Sequence, residues 1–276
     1  GWNVHYTAAD GTKITCRGNY NRGEMPNALT QDKWESAVNG AISFSDSLSK
    51  VENTNISLVT FSGSASIATE FSHTALTARD FGHPEGNTNL QAGLSNAIDK
   101  LKEITDPNAQ KYIVVIGDGQ PTSGGSNGKS ATDRAMDRAY EAKNDNKITV
   151  FSIGYGIEND ATAKDVLKKI SSDTTMTKVY GYRDYYEYNK EEKGFYKEAN
   201  STGIADSFKT IFEDIKTSIA ATNGVLTDVI GNNFKYVEGT KDSQDITVNG
   251  KDVTIKVGDI TEEEKVYSFN IEIKDK

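Results

Sequence analysis

The chain contains 276 residues, of which 36% are hydrophobic, and it carries a formal net charge of -9 at pH 7. This length, with a mean hydropathy of -0.59, allows one sizeable core and one small additional module. The acidic charge opposes contact with a phosphate backbone and no apolar run is long enough to cross a bilayer, so the sequence predicts no nucleic-acid partner and no membrane insertion within this chain.

Residues 1–30 are predicted to form a hairpin followed by an irregular loop. The dipeptide Asp10-Gly11 favours a tight turn between the short β-prone runs 4–7 and 13–16. Residues 18–27 contain glycine, asparagine and arginine, which is typical of a loop. Cys16 is the single cysteine of the sequence, so no internal disulfide is expected.

From Thr30 onward the sequence alternates between helical and strand patterns. Apolar residues recur at helical spacing in the predicted helices, whereas the predicted strands are short and rich in β-branched residues. The predicted helices cover residues 30–48, 90–101, 131–143, 163–170 and 204–219, and the predicted strands cover residues 56–61, 65–69, 112–116 and 148–153. This order predicts an α/β fold with a doubly wound, mostly parallel, Rossmann-like sheet within residues 31–223.

After Asn223 the sequence changes to a β pattern. Short apolar runs alternate with turn residues, and Asn249-Gly250 is a strong signal for a hairpin turn. Residues 224–276 are therefore predicted to form a small C-terminal β module. About 50 residues is short for an independent sandwich, and the alternative is that this segment is only part of a module.

Two polar positions are predicted to meet at one edge of the sheet. Thr88 lies in the loop Gly86-Asn87-Thr88-Asn89 before a helix, and Asp118 follows the apolar strand 112–116. Ligands of open α/β sheets bind beyond the carboxyl ends of the strands, where both residues are expected. The alternative is that Thr88 belongs to a helix cap and Asp118 to a turn.

Three segments resemble the von Willebrand factor A-type (vWA) domain, particularly the vWA domains of Gram-positive pilus and surface adhesins. They are residues 55–62 (NISLVTFS), 86–93 (GNTNLQAG) and 112–122 (YIVVIGDGQPT). The resemblance covers about residues 31–223, and residues 225–231 look like the strand that leads to a stalk in such adhesins. It implies a non-catalytic cell-adhesion module, located outside the cell on a bacterial cell surface.

The resemblance also implies a divalent cation at the carboxyl face of the sheet, in the kind of site called MIDAS. Thr88 matches the family's metal-binding threonine and Asp118 its aspartate, and their oxygen atoms suit Mg²⁺ or Mn²⁺. The family's first strand, with its Asp-x-Ser-x-Ser motif, is missing from residues 1–276. We therefore expect the natural protein to continue upstream, with residues 1–30 inserted near the metal face. The alternative is a family member without a complete metal site.

Several residues are candidate contacts for the adhesion partner, which is expected to be a host extracellular protein or a glycan, with pilus subunits as further candidates. Tyrosines crowd residues 180–196, where no helical or strand period is recognised, and each ring offers a rigid face with a polar tip. The alternative is a long loop that folds onto the domain through its own rings. The candidate contacts are Tyr20, Asn87, Asn89, Tyr182, Tyr185 and Tyr186.

Three further hypotheses follow from the sequence. The domain could have a metal-independent structural or assembly role in a pilus or stalk. Asp118 could instead serve a Mg²⁺-dependent hydrolase, which would require a second acidic cluster after another strand. Lys274 and Lys276 are candidates for an isopeptide bond to an asparagine, as in related stalk domains.

Overall fold

The computed structural model describes residues 2–7, 13–18, 28–82, 86–181, 184–222, 224–258 and 265–274. The chain divides into two compact units, Gly1–Phe212 and Glu213–Lys276. Each unit has a hydrophobic core of its own. Among the described residues, none of the helices is both long enough and apolar enough to cross a membrane.

The first unit begins with the predicted hairpin, formed by β1 (Trp2–Thr7) and β2 (Lys13–Gly18), in which Val4 lies opposite Cys16. The first helix, α1 (Ala28–Leu48), starts two residues before the predicted Thr30. A second antiparallel hairpin follows, made of β3 (Ile56–Phe61) and β4 (Ala65–Ser72). A short 3-10 helix, Ala78–Phe81, closes this part of the unit.

The parallel sheet and its helices make up the middle of the first unit. The helices are α2 (Leu90–Lys102), α3 (Ala131–Tyr140), which continues into a π-helical turn (Glu141–Asp145), and α4 (Ala161–Ile170). The parallel strands are β5 (Tyr112–Gly117), β6 (Thr149–Tyr155) and β9 (Tyr196–Ala199), with β6 in the centre. An antiparallel hairpin of β7 (Thr174–Val179) and β8 (Tyr185–Lys190) precedes β9.

The core of the first unit lies between the sheet and its helices. Strand β6 is buried along almost its whole length, as expected for an apolar strand covered on both faces. Gly93 lets α2 approach β3 closely, because a Cβ atom there would lie 2.9 Å from the Phe61 ring. The most deeply buried side chains of this core include Leu94, Ile98, Val150, Leu167 and Ile170.

The described strands of the first unit do not form one continuous sheet. Strand β3 pairs with β4, β5 pairs with β6, and no described strand pairs with the other edge of β3 or of β5. Both β3 and β5 are apolar strands, and α2 packs against β3 while sharing a core with β5. The α/β fold is therefore confirmed, with its sheet interrupted between β3 and β5.

The last helix, α5 (Ile204–Thr222), runs three residues beyond its predicted end. The second unit has the predicted β character. Its strands are β10 (Gly224–Val229), β11 (Phe234–Tyr236), β12 (Ile246–Asn249), β13 (Asp252–Gly258) and β14 (Ile271–Ile273). They form an antiparallel sheet in the order β10-β13-β12 and a separate ribbon of β11 and β14. The core of this unit is small and contains Ile230, Ile246, Val253 and Ile255.

Candidate cation-binding face

The loop before α2 connects the carboxyl ends of β3 and β5. The backbone N–H of Asn89 donates to the Ser62 carbonyl at 2.6 Å. The N–H groups of Thr122 and Ser123 donate to the Thr88 carbonyl at 2.9 and 3.2 Å, and the Thr88 N–H donates to Thr122 Oγ1 at 2.9 Å. These hydrogen bonds hold Thr88 beside the segment that follows β5, across 34 and 35 positions of the chain.

Asn89 has a structural role in this loop. Its Oδ1 accepts from the Ala92 N–H at 3.1 Å and caps α2, while its Nδ2 donates to the Gly63 carbonyl at 3.0 Å. Gly124 packs so closely against this amide that a Cβ atom would collide with it, and its φ of 96° also favours glycine. Both polar atoms of the Asn89 side chain serve the fold, so its predicted contact with a ligand has no support from this arrangement.

Thr88 and Asp118 both have side-chain oxygen atoms that the described residues do not engage. Asp118 is exposed directly after β5, and no hydrogen bond or ion pair joins its carboxylate to another described residue. Thr88 is half-buried, and its hydrogen bonds to Thr122 and Ser123 use only the backbone. The neighbouring Asn87 is exposed. These positions leave a hydroxyl and a carboxylate available at the carboxyl edge.

The two available oxygen ligands fit a hard divalent cation in type but not in number. Mg²⁺ prefers six oxygen ligands and keeps some as water, so a hydroxyl and a carboxylate can supply part of its shell. Among the described residues, no group of three or more histidine, cysteine, aspartate or glutamate side chains could hold a metal ion.

A second carboxylate, Asp160, lies beyond the end of β6 and was not among the predicted site residues. Its side chain caps α4 by accepting from the Ala163 N–H at 2.9 Å, and it also accepts from Gln120 Nε2 at 3.2 Å. The hydrogen bond from Ala163 lowers the pKa of Asp160 below its usual value. Asp160 thus ties the loop after β5 to α4. Its position as a helix cap was the one sequence signal that could have indicated this role.

Tyr185, Tyr186 and Tyr188 of the tyrosine-rich segment lie on β8, and Tyr196 begins β9, so the prediction that this segment has no strand period is wrong. Along β8 exposed and half-buried residues alternate, so that Tyr185 points outward while Tyr186 and Tyr188 pack against the core. The Tyr186 hydroxyl donates to Asp137 Oδ1 at 2.9 Å, and its ring lies 5.2 Å from that of Tyr140. Tyr186 is therefore a packing residue. Tyr20 and Tyr182 lie outside the described residues.

The candidate isopeptide lysines receive no support from the second unit. Lys274 is exposed at the end of β14, and its backbone N–H donates to the Asn233 carbonyl at 2.9 Å. Lys276 lies outside the described residues. A lysine–asparagine contact does occur in the same unit, where Lys251 Nζ donates to Asn232 Oδ1 at 2.5 Å near the surface. A bond at Lys274 stays a prediction, which an intact mass lower by one ammonia would support.

Comparison with known proteins identifies a family and a set of distant relatives. A model of the von Willebrand factor type A domain matches residues 26–192, which is more than half of the chain. Inter-alpha-trypsin inhibitor heavy chain H2 of Homo sapiens is 28% identical over 175 residues, which are 61% of this chain and 16% of that protein. The same protein of Sus scrofa is 31% identical over 108 residues, which are 37% of this chain and 11% of that protein. The chain thus spans less than a fifth of these relatives.

Solved structures support the same fold. The vWF domain of the type V pili tip protein Mfa5 from Porphyromonas gingivalis superposes with a TM-score of 0.55 at 14% identity, covering 70% of this chain and 91% of that one. A mutant of the PilB minor pilin from Streptococcus sanguinis superposes with a TM-score of 0.50 at 17% identity, covering 76% and 66%. At these identities the likeness is one of fold alone.

Proposed function

The chain belongs to the von Willebrand factor type A domain family, and on that basis we propose that it is an extracellular adhesion module of a bacterial surface protein. The observation that carries this proposal is the pair of available oxygen ligands, Thr88 and Asp118, at the carboxyl edge of the sheet. The fold likeness to a pili tip protein and a minor pilin supports a place on a pilus or cell wall. The motif resemblance alone supports a Gram-positive source.

In this proposal the adhesion face holds Mg²⁺ or Mn²⁺. The Thr88 hydroxyl and the Asp118 carboxylate contribute two ligands, and water molecules fill other positions. One water can give way to a carboxylate on the partner, such as a host extracellular protein, which would link adhesion to the cation. The exposed side chain of Asn87 lies beside this position and is the nearest candidate for a partner contact.

The interruption between β3 and β5 is the place where the remaining ligands would enter. Edges of apolar strands are favourable partners for another extended segment, and no described strand pairs with the second edge of β3 or of β5. A parallel strand in this gap would end at the same edge as Thr88 and Asp118. We place the Asp-x-Ser-x-Ser motif of the resemblance on such a strand.

Titration calorimetry with Mg²⁺ and Mn²⁺ tests this proposal. The proteins are residues 1–276, a version extended upstream, and Asp118→Ala in each, with Glu52→Ala as a control at an exposed carboxylate after α1. We expect saturable binding in the extended protein, retained in Glu52→Ala and lost in Asp118→Ala. Binding that survives Asp118→Ala would contradict the assignment of this ligand.

A metal-independent structural or assembly role is the second candidate. It is favoured by the lack of a three-residue metal cluster among the described residues. Absence of cation binding in every version would remove the cation mechanism and leave this role. The hydrolase hypothesis needs a second acidic cluster, whereas the carboxylate of Asp160 beyond β6 caps α4, and we propose a module without catalytic activity.

A further inference from the structure

A groove of about 610 Å³ runs along α3 and its π-helical turn, and the β7–β8 hairpin forms its other side. This volume lies in the range of small-ligand sites in proteins. Neither Thr88 nor Asp118 lines the groove, so it is separate from the proposed cation ligands. We refer to it as the α3 groove.

Charges in the α3 groove are arranged by depth. The carboxylates Asp137 and Glu141 are 14% and 19% exposed, whereas the ammonium-bearing side chains Lys129 and Lys102 are 40% and 43% exposed. Lys129 pairs with Asp137 at 2.7 Å and Lys102 pairs with Glu141 at 2.5 Å. Lys129 and Lys102 are thus more exposed than the two carboxylates that they pair with, although the exposed carboxylate of Asp145 also lines the groove and the chain as a whole carries a charge of -9.

Aromatic rings supply the other half of the site. Tyr186 is fixed by its hydrogen bond to Asp137 and by its contact with Tyr140, which makes a rigid wall. Tyr180 is 75% exposed, and the Lys178 ammonium lies 5.0 Å from the centre of its ring. The exposed ring of Tyr180 can stack on a ligand, and the Lys178 ammonium beside it, which also pairs with Asp184 at 3.3 Å, can attract an anion.

Arg138 also lines the groove, where its guanidinium forms an ion pair with Glu141. The groove thus offers cations, hydrogen-bond donors and an exposed aromatic ring together.

We propose that the α3 groove binds an acidic saccharide, that is, a sugar that carries a carboxylate or a sulfate. The anionic group would face Lys129 and Lys102, the hydroxyl groups would bond to the charged side chains of the groove, and a sugar ring would stack on Tyr180. This inference rests on the proposed adhesive function and names a ligand class for it. The groove requires no cation, so the two proposals can fail separately.

The test is calorimetric titration of residues 1–276 in EDTA with 3′-sialyllactose, with lactose 3′-sulfate and with neutral lactose. The variants are Tyr180→Ala and Lys129→Gln in the groove, with Tyr185→Ala as the matched control. Tyr185 lies on β8 beside Tyr186 and is 53% exposed, but it does not line the groove. The acidic arms distinguish a carboxylate from a sulfate.

We expect at least one acidic saccharide to bind saturably in EDTA and lactose to bind far more weakly. Each groove variant should weaken this binding about tenfold, as the loss of a central contact does, while Tyr185→Ala should leave it unchanged. Absence of binding by both acidic sugars, equal binding of lactose, or equal loss in the control would overturn the proposal. Equally tight binding of a polyglutamate peptide would overturn the sugar class.

The design separates the two proposals. Saccharide binding in EDTA that persists in Asp118→Ala supports the α3 groove even when the cation titration fails. Loss of saccharide binding in EDTA, recovered by Mg²⁺ and abolished by Asp118→Ala, would place recognition at the cation face and overturn the groove.

Discussion

Asp173 organises the turn that leads into β9. Its side chain is buried, and its carboxylate accepts hydrogen bonds from the backbone N–H groups of Lys193, Phe195 and Tyr196 at 2.8, 3.1 and 2.8 Å. The Phe195 carbonyl in turn accepts from the Ser152 N–H on β6. One carboxylate therefore positions the segment that adds the third parallel strand to the sheet.

We expect Asp173→Ala to lower the free energy of unfolding by about 3 kcal/mol, because three backbone donors lose a charged acceptor in a buried site. Urea denaturation followed by circular dichroism measures this loss. Asp145→Ala, at an exposed position after α3, is the matched control and should change stability by less than about 0.5 kcal/mol. Equal stability of the two variants would show that the turn does not need the carboxylate.

Asn89 gives a second residue-scale prediction. Asn89→Ala removes the cap of α2 and the bond to Gly63, and we expect it to cost about 1 to 2 kcal/mol. Asn89→Asp retains the capping oxygen and should recover most of the cap. Thermal unfolding of the parent protein and of the two variants measures these differences in stability. An alanine variant as stable as the parent would rule out the structural role of this amide.

At this scale the sequence predicts residues whose function is local. Thr88 and Asp118 were found because each lies in a short motif next to a recognisable element. Asp173 was not predicted, because its partners lie 20 to 23 positions away and no periodicity marks them. Asp160 was missed as a site neighbour for a similar reason, since its contact with Gln120 spans 40 positions.

Among the elements, the β7–β8 hairpin departs furthest from the sequence prediction. Its strands, TTMTKV and YYEYNK, are mostly polar, so hydrophobic alternation is too weak to indicate them. Tyrosine rings provide the buried surface of this hairpin, and each keeps its polar tip in contact with solvent or a carboxylate. Strand β9 is four residues long and polar, which explains why it was also missed. Helices α2 to α4 were predicted, since they combine apolar periodicity with capping residues.

The buried tyrosines make this hairpin sensitive to alkali. Burial raises the pKa of Tyr188 to about 12, and it also raises the pKa values of Tyr186 and Tyr196. Above the ordinary tyrosine value of about 10, the unfolded chain releases these protons before the folded chain does. The free energy of unfolding should therefore fall as pH rises above about 10, since the folded state then binds more protons.

We expect Tyr188→Phe to reduce this slope by up to about 1.4 kcal/mol per pH unit between pH 10 and 12, because one titrating group is removed. Urea denaturation at a series of pH values measures it. At pH 8 the variant and the parent should have the same slope. An unchanged slope above pH 10 would show that Tyr188 does not remain protonated in the folded state.

At the scale of the whole molecule, the two units have separate cores, and each unit should therefore have its own free energy of unfolding. Ile98 lies in the core of the first unit and Ile246 in the core of the second, and both are fully buried. Ile98→Ala and Ile246→Ala should each cost about 2 to 5 kcal/mol in its own unit. Hydrogen exchange measured by mass spectrometry should show faster exchange in residues 213–276 only for Ile246→Ala. Faster exchange throughout both units would show that they unfold as one.

The sequence predicts the order of elements across the molecule but not which strands pair. Local periodicity indicates β3 and β5 as strands, yet pairing depends on contacts between distant segments. Among the described strands the sheet is interrupted between β3 and β5, and a place for the first strand of the family pattern in this gap stays a prediction. The split of residues 224–276 into a sheet and a ribbon had no local signal.

The interrupted sheet also bears on how this polypeptide behaves in concentrated solution. The edge of β3 on one molecule can pair with the edge of β5 on a neighbouring molecule, because backbone hydrogen bonds form equally well between strands of different chains. Light scattering of residues 1–276 should therefore report self-association that grows with concentration and resists added salt, since backbone hydrogen bonds are not screened as surface charges are. A strand that pairs with both edges would prevent these contacts between molecules and keep the protein monomeric.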